Sequence, residues 1–248
     1  MRNATPHPIA FGLLACLLLS PISSLRAAPV SLPGGRKIEK VDFERHIAGL
    51  LGRAGCSAGA CHGSFQGKGG FYLSLFGYSA EKDYQAIARD NLGRRINLVD
   101  PDQSLLLLKA TGAVQHGGGR RFDRNSPAYR LIREWIANGA RYEPGSGTVK
   151  RVEVTPKEQM FEKPGQKARL KVMVEFADGS REDLSYFSEF RVNNDYVAEI
   201  NRDGEVTGLR PGDTSVVVTY RGNVVSGRAL VPVAVPKDFK YPKISENN

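Results

Sequence analysis

The sequence lacks, beyond residue 28, any apolar run long enough to cross a bilayer, so no transmembrane span is predicted in the mature chain. It also lacks a stripe of lysine and arginine interleaved with aromatic residues, although the formal net charge is +9. A nucleic-acid partner is therefore not predicted, while the charge permits anionic partners. There is no G-x-S-x-G nucleophile motif, and "GKGG" at residues 67–70 lacks the Gly-Lys-Ser/Thr end of a phosphate loop. Catalytic activity is not indicated, and we do not expect an enzyme.

The first 27 residues have the pattern of a secretory signal peptide. Arg2 supplies a positive charge, Ile9–Leu19 form a short apolar run, and small residues lie around Ala27 and Ala28. We expect cleavage after Ala27 and export to the periplasm or cell surface. The alternative is a lipoprotein anchored through Cys16, which follows a small residue, but the apolar run continues past this cysteine.

The rest of the sequence divides into two regions of different periodicity. Residues 37–142 carry helical patterns, of which one begins at an N-cap Asp42 and the clearest begins at Ser126 and Pro127 and stops at Gly139. From residue 150 the period is two, with alternating apolar residues in "ARLKVMVEF" and two hairpins around "NRDG" and "RGN". Residues 143–149 have the composition of a linker, and residues 237–248 form a polar tail. The sequence thus predicts a multidomain chain, an all-α domain at 37–142 followed by an all-β sandwich at 150–236.

The segment "GCSAGACHG" at residues 55–63 contains the most informative motif. Covalent haem attachment needs two thiols placed against the two vinyl groups and a histidine fixed next to the second thiol. Cys61 and His62 supply the fixed pair, and Cys56 precedes them across four small residues where the usual spacing is two. The motif predicts haem c bound through Cys56 and Cys61, with His62 as an axial ligand of the iron.

The second axial ligand must come from elsewhere in the sequence. Met160 and Met173 lie in the β region, which argues against methionine. His116, in the loop "AVQHGGG" before the last helix, is the preferred ligand on the opposite haem face. His46 is the less favoured alternative, because it lies on the first helix only ten residues before Cys56.

Two interpretations without haem stay open at this point. Cys56 and Cys61 could close a small disulfide loop in an exported protein, with His62 and His116 as ordinary loop residues. Alternatively, these four residues could bind zinc, which requires all four to converge and the thiols to stay reduced. The arginine pairs at 94–95 and 120–121 are interpreted as solvated, or as contacts for haem propionates.

Three stretches of residues 41–142 resemble the cytochrome c-like domain of large exported planctomycete surface proteins. They are "GCSAGACHGSFQGKGGFYLSLFGY", "GRRINLVDPDQSLLLLKATGAVQHGGGRRF" and "SPAYRLIREWIANGA". Proteins of that family usually carry a Cys-x-x-Cys-His motif and often a Met-Pro-Pro ligand loop. This chain departs at both points, because four residues separate its two cysteines and its loop carries His116 in place of methionine. The resemblance implies a haem-binding, electron-transfer domain at the front of a longer protein.

The β region resembles the bacterial Ig-like group 2 domain over residues 150–235. The similarity lies in "VTPKEQMFEKPGQKARLKVMVEFADGSREDLS", "NDYVAEINRDGEVTGLRPGDTSVVVTYRG" and "VPV". It implies a seven-stranded sandwich that acts as a spacer or adhesion module.

Taken together, the sequence predicts an exported electron carrier with one covalent haem, an unidentified redox partner, and an Ig-like module that contacts an envelope protein or carbohydrate. The alternative is a redox-silent envelope binding or structural protein with a Cys56–Cys61 disulfide.

Overall fold

The computed structural model describes Met1, residues 28–235 and residues 238–240. Apart from Met1, the predicted signal peptide, its cleavage site after Ala27 and the alternative lipid site at Cys16 lie outside the described residues. The same holds for residues 236–237 and for residues 241–248 of the predicted polar tail. Within the part that is described, no helix is long and apolar enough to cross a membrane.

The first region is built from short helices joined by long loops. Its α-helices are α1 (Ala48–Arg53), α2 (Ala80–Ala88), α3 (Leu105–Thr111) and α4 (Pro127–Ala137), and a π-helical turn at Phe43–Ile47 leads into α1. Single 3-10 turns lie at Pro33–Gly35, Leu75–Gly77, Asp90–Gly93 and Pro101–Gln103. A two-stranded antiparallel sheet, β1 (Val30–Ser31) and β2 (Lys37–Ile38), precedes them. The prediction of an all-α domain is therefore not met, because this region contains a small sheet and much irregular backbone.

The predicted helix starts are confirmed. The Asp42 carboxylate accepts a hydrogen bond from the Arg45 N–H at 2.7 Å, and the Ser126 hydroxyl accepts one from the Tyr129 N–H at 3.2 Å. Helix α4 buries its apolar face, including Trp135, whose ring centroid lies 5.1 Å from that of Phe43. This contact joins the π-helical turn before α1 to the last helix of the region.

The second region consists of ten strands among the described residues, in three sheets. The strands are β3 (Val149–Thr155), β4 (Glu158–Met160), β5 (Lys167–Arg169), β6 (Lys171–Phe176), β7 (Arg181–Asp183), β8 (Glu189–Val192), β9 (Ala198–Ile200), β10 (Glu205–Gly208), β11 (Gly212–Tyr220) and β12 (Asn223–Val231). The sheet orders are β3-β6-β7, β4-β12-β11-β8 and β5-β10-β9. The structure thus has ten strands where seven were expected, and six of the ten are only three or four residues long.

Both predicted hairpins and the predicted alternation are confirmed in the β region. Strands β9 and β10 pair antiparallel, as do β11 and β12 over their full length. Leu170, Val172, Val174 and Phe176 are all buried, as expected for residues on one face of a half-buried strand.

The two regions share one hydrophobic core, and hydrogen bonds also join them along their boundary, which we call the seam. The buried Glu44 carboxylate accepts hydrogen bonds from the N–H groups of Gly145 (3.0 Å) and Gly147 (2.9 Å), so the predicted linker is held against the first helix. Gly49 of α1 packs on Tyr220, where a Cβ would come within 2.9 Å of the tyrosine ring. The linker composition of residues 143–149 therefore does not produce a flexible connection.

Candidate functional site

The segment that carries the two cysteines folds back on itself after α1. The His62 N–H donates to the Cys56 carbonyl at 3.0 Å, and the Cys61 N–H donates to the Ala58 carbonyl at 2.9 Å. The four residues between the cysteines form a compact turn, so the extra length does not separate Cys56 from His62. Gly63 ends this turn, and a Cβ there would overlap the Ser57 carbonyl oxygen. A larger residue at position 63 would therefore disrupt the turn.

The tautomer of His62 is fixed by the backbone. Its Nδ1 lies 2.9 Å from the Phe71 carbonyl oxygen, and because a carbonyl only accepts, Nδ1 carries the proton. The lone pair is then on Nε2. Burial lowers the pKa of His62 below its usual value, and the neighbouring His116 and Arg95 act in the same direction. The neutral imidazole that a metal requires is thus favoured.

His116 has the same arrangement on the facing loop. Its Nδ1 donates to the Gly119 carbonyl at 2.9 Å, which again leaves the lone pair on Nε2. The His62 and His116 rings are nearly parallel, with an interplanar angle of 9° and centroids 6.1 Å apart. The structure therefore brings together the two histidines that the sequence analysis selected.

Both histidines and both cysteines line one cavity of about 550 Å³, a volume typical of cofactor pockets. The apolar part of its wall comes from α1, α3 and the segment after the cysteine turn, including Leu51, Phe71, Leu105 and Leu106. The charged part consists of basic residues from four separate segments: Lys68, Arg94, Arg95, Lys109 and Arg121. No acidic residue of the described part lines the cavity.

Arg121 joins the cysteine segment to the His116 loop. Its Nε donates to the Ala54 carbonyl at 2.6 Å and its Nη1 donates to the Gly118 carbonyl at 3.1 Å. The same guanidinium acts on Cys56, where it lowers the pKa, but the larger effect of burial raises the pKa of this thiol to about 11. Cys56 is thus protonated at neutral pH in this structure.

Cys56 and Cys61 are both free thiols in this structure. Among the described residues, no group of three or more histidine, cysteine or acidic side chains converges as a metal site. The predicted zinc site of Cys56, Cys61, His62 and His116 is therefore not assembled.

His46, the alternative iron ligand, lies at the seam between the two regions. Its Nδ1 accepts from the Asp42 N–H at 2.9 Å, and its Nε2 lies 2.9 Å from the Glu182 carboxylate. The side chain is buried and does not line the cysteine cavity. Both ring nitrogens of His46 are engaged in hydrogen bonds, whereas His116 lies in the wall of the cavity that contains the cysteines.

Sequence reasoning missed two parts of the site. It treated the arginine pair 120–121 as one unit, whereas Arg121 faces the cavity and Arg120 forms an exposed ion pair with Asp123. It also missed the backbone carbonyls of Phe71 and Gly119, which fix the histidine tautomers. The density of glycines beside each histidine was the only signal in the sequence that backbone groups approach closely there.

Comparison with known proteins identifies a domain in the second region. Residues 148–227 match the family model of the bacterial Ig-like domain (group 2). No curated protein matches the chain. Among solved structures, a structure of the surface layer protein SbsC, domains 1–6, is 19% identical, covering 36% of this chain and 14% of that one, with a TM-score of 0.30. Domains 4 and 5 of the S-layer protein SbsC are 18% identical, covering 35% and 53%, with a TM-score of 0.29.

The C-terminal half of the chain therefore contains a bacterial Ig-like domain of group 2. The family match lies within the β region and does not extend to the helical region.

Proposed function

We propose that the helical region binds one haem covalently through Cys56 and Cys61, with His62 and His116 as axial ligands, and that the exported chain transfers electrons. The observation that carries the proposal is the pair of parallel imidazoles 6.1 Å apart in the cavity that both cysteines line. His62 and His116 would hold the iron through their Nε2 atoms, and with metal–nitrogen bonds of about 2 Å their ring centroids would need a separation of about 6 Å.

The cavity fits such a group in three further respects. Its volume and apolar walls suit a flat apolar ligand, and its basic lining suits a ligand with carboxylates. Each histidine has its proton on Nδ1, bonded to a backbone carbonyl, so its Nε2 lone pair is available to a metal. Met160 and Met173 lie on strands of the β region and do not line this cavity, so methionine is not a competing ligand.

The chain's own residues would have distinct roles. When bound, haem supplies one-electron transfer. Two imidazole ligands would leave no open coordination position, which favours electron transfer over oxygen chemistry, and would give a lower potential than a histidine–methionine pair. Phe71 and Gly119 would hold the rings through their carbonyls, and the Ig-like domain would position the site against an envelope partner.

The deciding experiment is a haem test on denatured protein. The full chain, expressed with its leader in a host that matures c-type cytochromes, should give a band that retains peroxidase stain on a denaturing gel. Its intact mass should exceed the apo value by one haem, and Cys61→Ala should lose both signals.

The second ligand is tested on the matured protein. His116→Ala should convert the absorption spectrum of a six-coordinate iron to that of a five-coordinate or water-bound iron. The neighbouring exposed residue Gln115, changed to alanine, is the matched control and should leave the spectrum unchanged. A spectrum unaffected by His116→Ala would refute the assignment of this ligand.

A second function, envelope binding or scaffolding without redox chemistry, is favoured by the Ig-like match at residues 148–227. This match is compatible with a module that recognises an envelope protein or a carbohydrate, and it requires no cofactor. An unstained band two hydrogens lighter than the reduced chain would indicate a Cys56–Cys61 disulfide and favour this second function.

A further inference from the structure

The five basic side chains of the cavity have no acidic partners. None of Lys68, Arg94, Arg95, Lys109 and Arg121 forms an ion pair with a carboxylate of the described residues. Surface arginines elsewhere in the chain, such as Arg228 and Arg181, are paired. Unpaired positive charge concentrated at one apolar cavity is the arrangement that binds an anionic ligand.

Arg95 is the most constrained of these cations. Its Nη1 donates to the Ala86 carbonyl at 2.8 Å, and its guanidinium lies over the Phe71 ring, 4.5 Å from the centroid. The side chain is half-buried, and desolvation lowers its pKa; the negative charge of Asp90 opposes this shift, and the positive charge of Arg94 adds to it. A partly buried cation that forms no direct ion pair has lost part of its hydration, so an anion at this position would stabilise the structure.

Arg94 completes the group without a structural role of its own. Its side chain is exposed and makes no hydrogen bond or ion pair with the described residues. The turn just before it places two consecutive non-glycine residues, Asn91 and Leu92, at positive φ (51° and 58°). Backbone strain of this kind often marks functional sites, and here it precedes the two adjacent arginines.

The arginines lie at different parts of the cavity wall. Arg121 is at the cysteine segment, where its Nε donates to the Ala54 carbonyl at 2.6 Å, whereas the Arg95 guanidinium lies over the ring of Phe71, the residue whose carbonyl holds His62. A porphyrin of the haem type has its two carboxylates on the edge opposite the vinyl groups that react with thiols, so it can present the carboxylates to one part of the wall and the vinyl groups to another.

We propose that Arg94 and Arg95 form a carboxylate-binding subsite that orients a dianionic porphyrin in the cavity, with its carboxylates directed away from Cys56. This inference rests on the proposed haem-binding function and adds to it the residues that fix the ligand's orientation. The two arginines act through charge-assisted hydrogen bonds to the ligand and not through the iron.

The test uses the full chain without its leader, expressed in the absence of haem maturation. The probes are metal-free mesoporphyrin IX, whose ethyl groups cannot react with thiols, and its dimethyl ester, which lacks the negative charges. Porphyrin fluorescence should show that the wild type binds the dicarboxylate about tenfold more tightly than the ester, as expected for one or two charge-assisted contacts. This preference should decrease as salt is added.

Variants separate the subsite from general charge. Arg94→Gln combined with Arg95→Gln should reduce the preference to about threefold or less, and Arg95→Lys should retain part of it. Arg94→Gln alone removes no structural contact and should show a partial loss, which guards against misfolding in the double variant. Arg120→Gln, an exposed arginine outside the cavity, is the control and should keep the wild-type preference.

Each outcome bears on the inference. Equal binding of both porphyrins by the wild type, or an unchanged preference in the double variant, would overturn the subsite. A preference that depends on Arg94 and Arg95 in a chain that never acquires covalent haem would refute the proposed function alone. Covalent haem in a chain with no preference, or in a chain that binds neither porphyrin, would refute the subsite alone, and a chain with neither covalent haem nor porphyrin binding would overturn both.

Discussion

Replacing Arg121 with alanine should loosen the loop that carries His116 while the rest of the protein stays folded. Arg121 is the side chain that bonds both to the cysteine segment, through the Ala54 carbonyl, and to the His116 loop, through the Gly118 carbonyl. Alanine removes both bonds and leaves these carbonyls near the cavity, where water can reach them. Lysine keeps the charge but has one ammonium group in place of a planar fork, so it can satisfy one carbonyl at a time.

The expected magnitude follows from the bond to the loop. A hydrogen bond from a charged donor contributes about 1.5–3 kcal/mol, and the Nη1 contact to Gly118 is long at 3.1 Å and half-buried, which favours the lower part of that range. A loss of about 2 kcal/mol in the free energy of local opening corresponds to amide exchange about 30-fold faster. Arg121→Lys should give an intermediate acceleration.

Hydrogen–deuterium exchange of the apo protein measures this directly. The reporters are the Gly119 amide, which donates to the His116 carbonyl at 2.9 Å, and the amide of residue 121, which donates to the Ala110 carbonyl at 2.8 Å. Arg120→Ala is the matched control, because this neighbour forms only an exposed ion pair and should change exchange by less than about threefold. Exchange in Arg121→Ala within threefold of the wild type, or equal acceleration in Arg120→Ala, would refute the reasoning.

Three further predictions concern stability and are measured by urea unfolding. Glu44→Ala should lower the free energy of unfolding by about 3–5 kcal/mol, because two charge-assisted hydrogen bonds to the linker are lost. The control Glu143→Ala removes only an exposed ion pair and should change the free energy of unfolding by less than about 1 kcal/mol, so similar losses in both variants would contradict the prediction. Gly63→Ala should destabilise by about 2 kcal/mol or more through overlap with a carbonyl, while Gly59→Ala, which has only ordinary contacts, should be close to neutral; equal effects would argue against the compact turn. Burial raises the pKa of Asp83 to about 6, so the folded state keeps a proton that the unfolded state releases near pH 4. The contribution of Asp83 to the free energy of unfolding should therefore fall by about 2–3 kcal/mol as pH rises from 4 to 6, and Asp83→Asn should remove this part of the pH dependence.

Local sequence signals predicted the elements well, and contacts between distant residues account for what they missed. Caps at Asp42 and Ser126 and the hairpins depend on residues close in sequence, so the pattern contains the information. The positions of His62 and His116 in one cavity were expected from the chemistry of haem ligation and not from periodicity.

The rigid linker could not be predicted in the same way. "EPGSG" reads as flexible, and only the burial of Glu44, about a hundred residues earlier, converts its amides into hydrogen-bond donors. Likewise, nothing in the pair Arg120–Arg121 indicates which side chain faces the cavity, because that depends on where the loop meets the Ala54 carbonyl.

The packing of Gly49 on Tyr220 has a consequence for how the two regions would act together. Because the Tyr220 hydroxyl also donates to the Arg45 carbonyl at 2.8 Å, the Ig-like domain is attached directly to the helix that leads into the cysteine segment. A partner that holds the Ig-like domain therefore also determines the direction in which the cavity opens and its distance from the partner. The cavity therefore keeps a fixed orientation relative to the Ig-like domain, whereas domains joined by a flexible linker would sample many orientations.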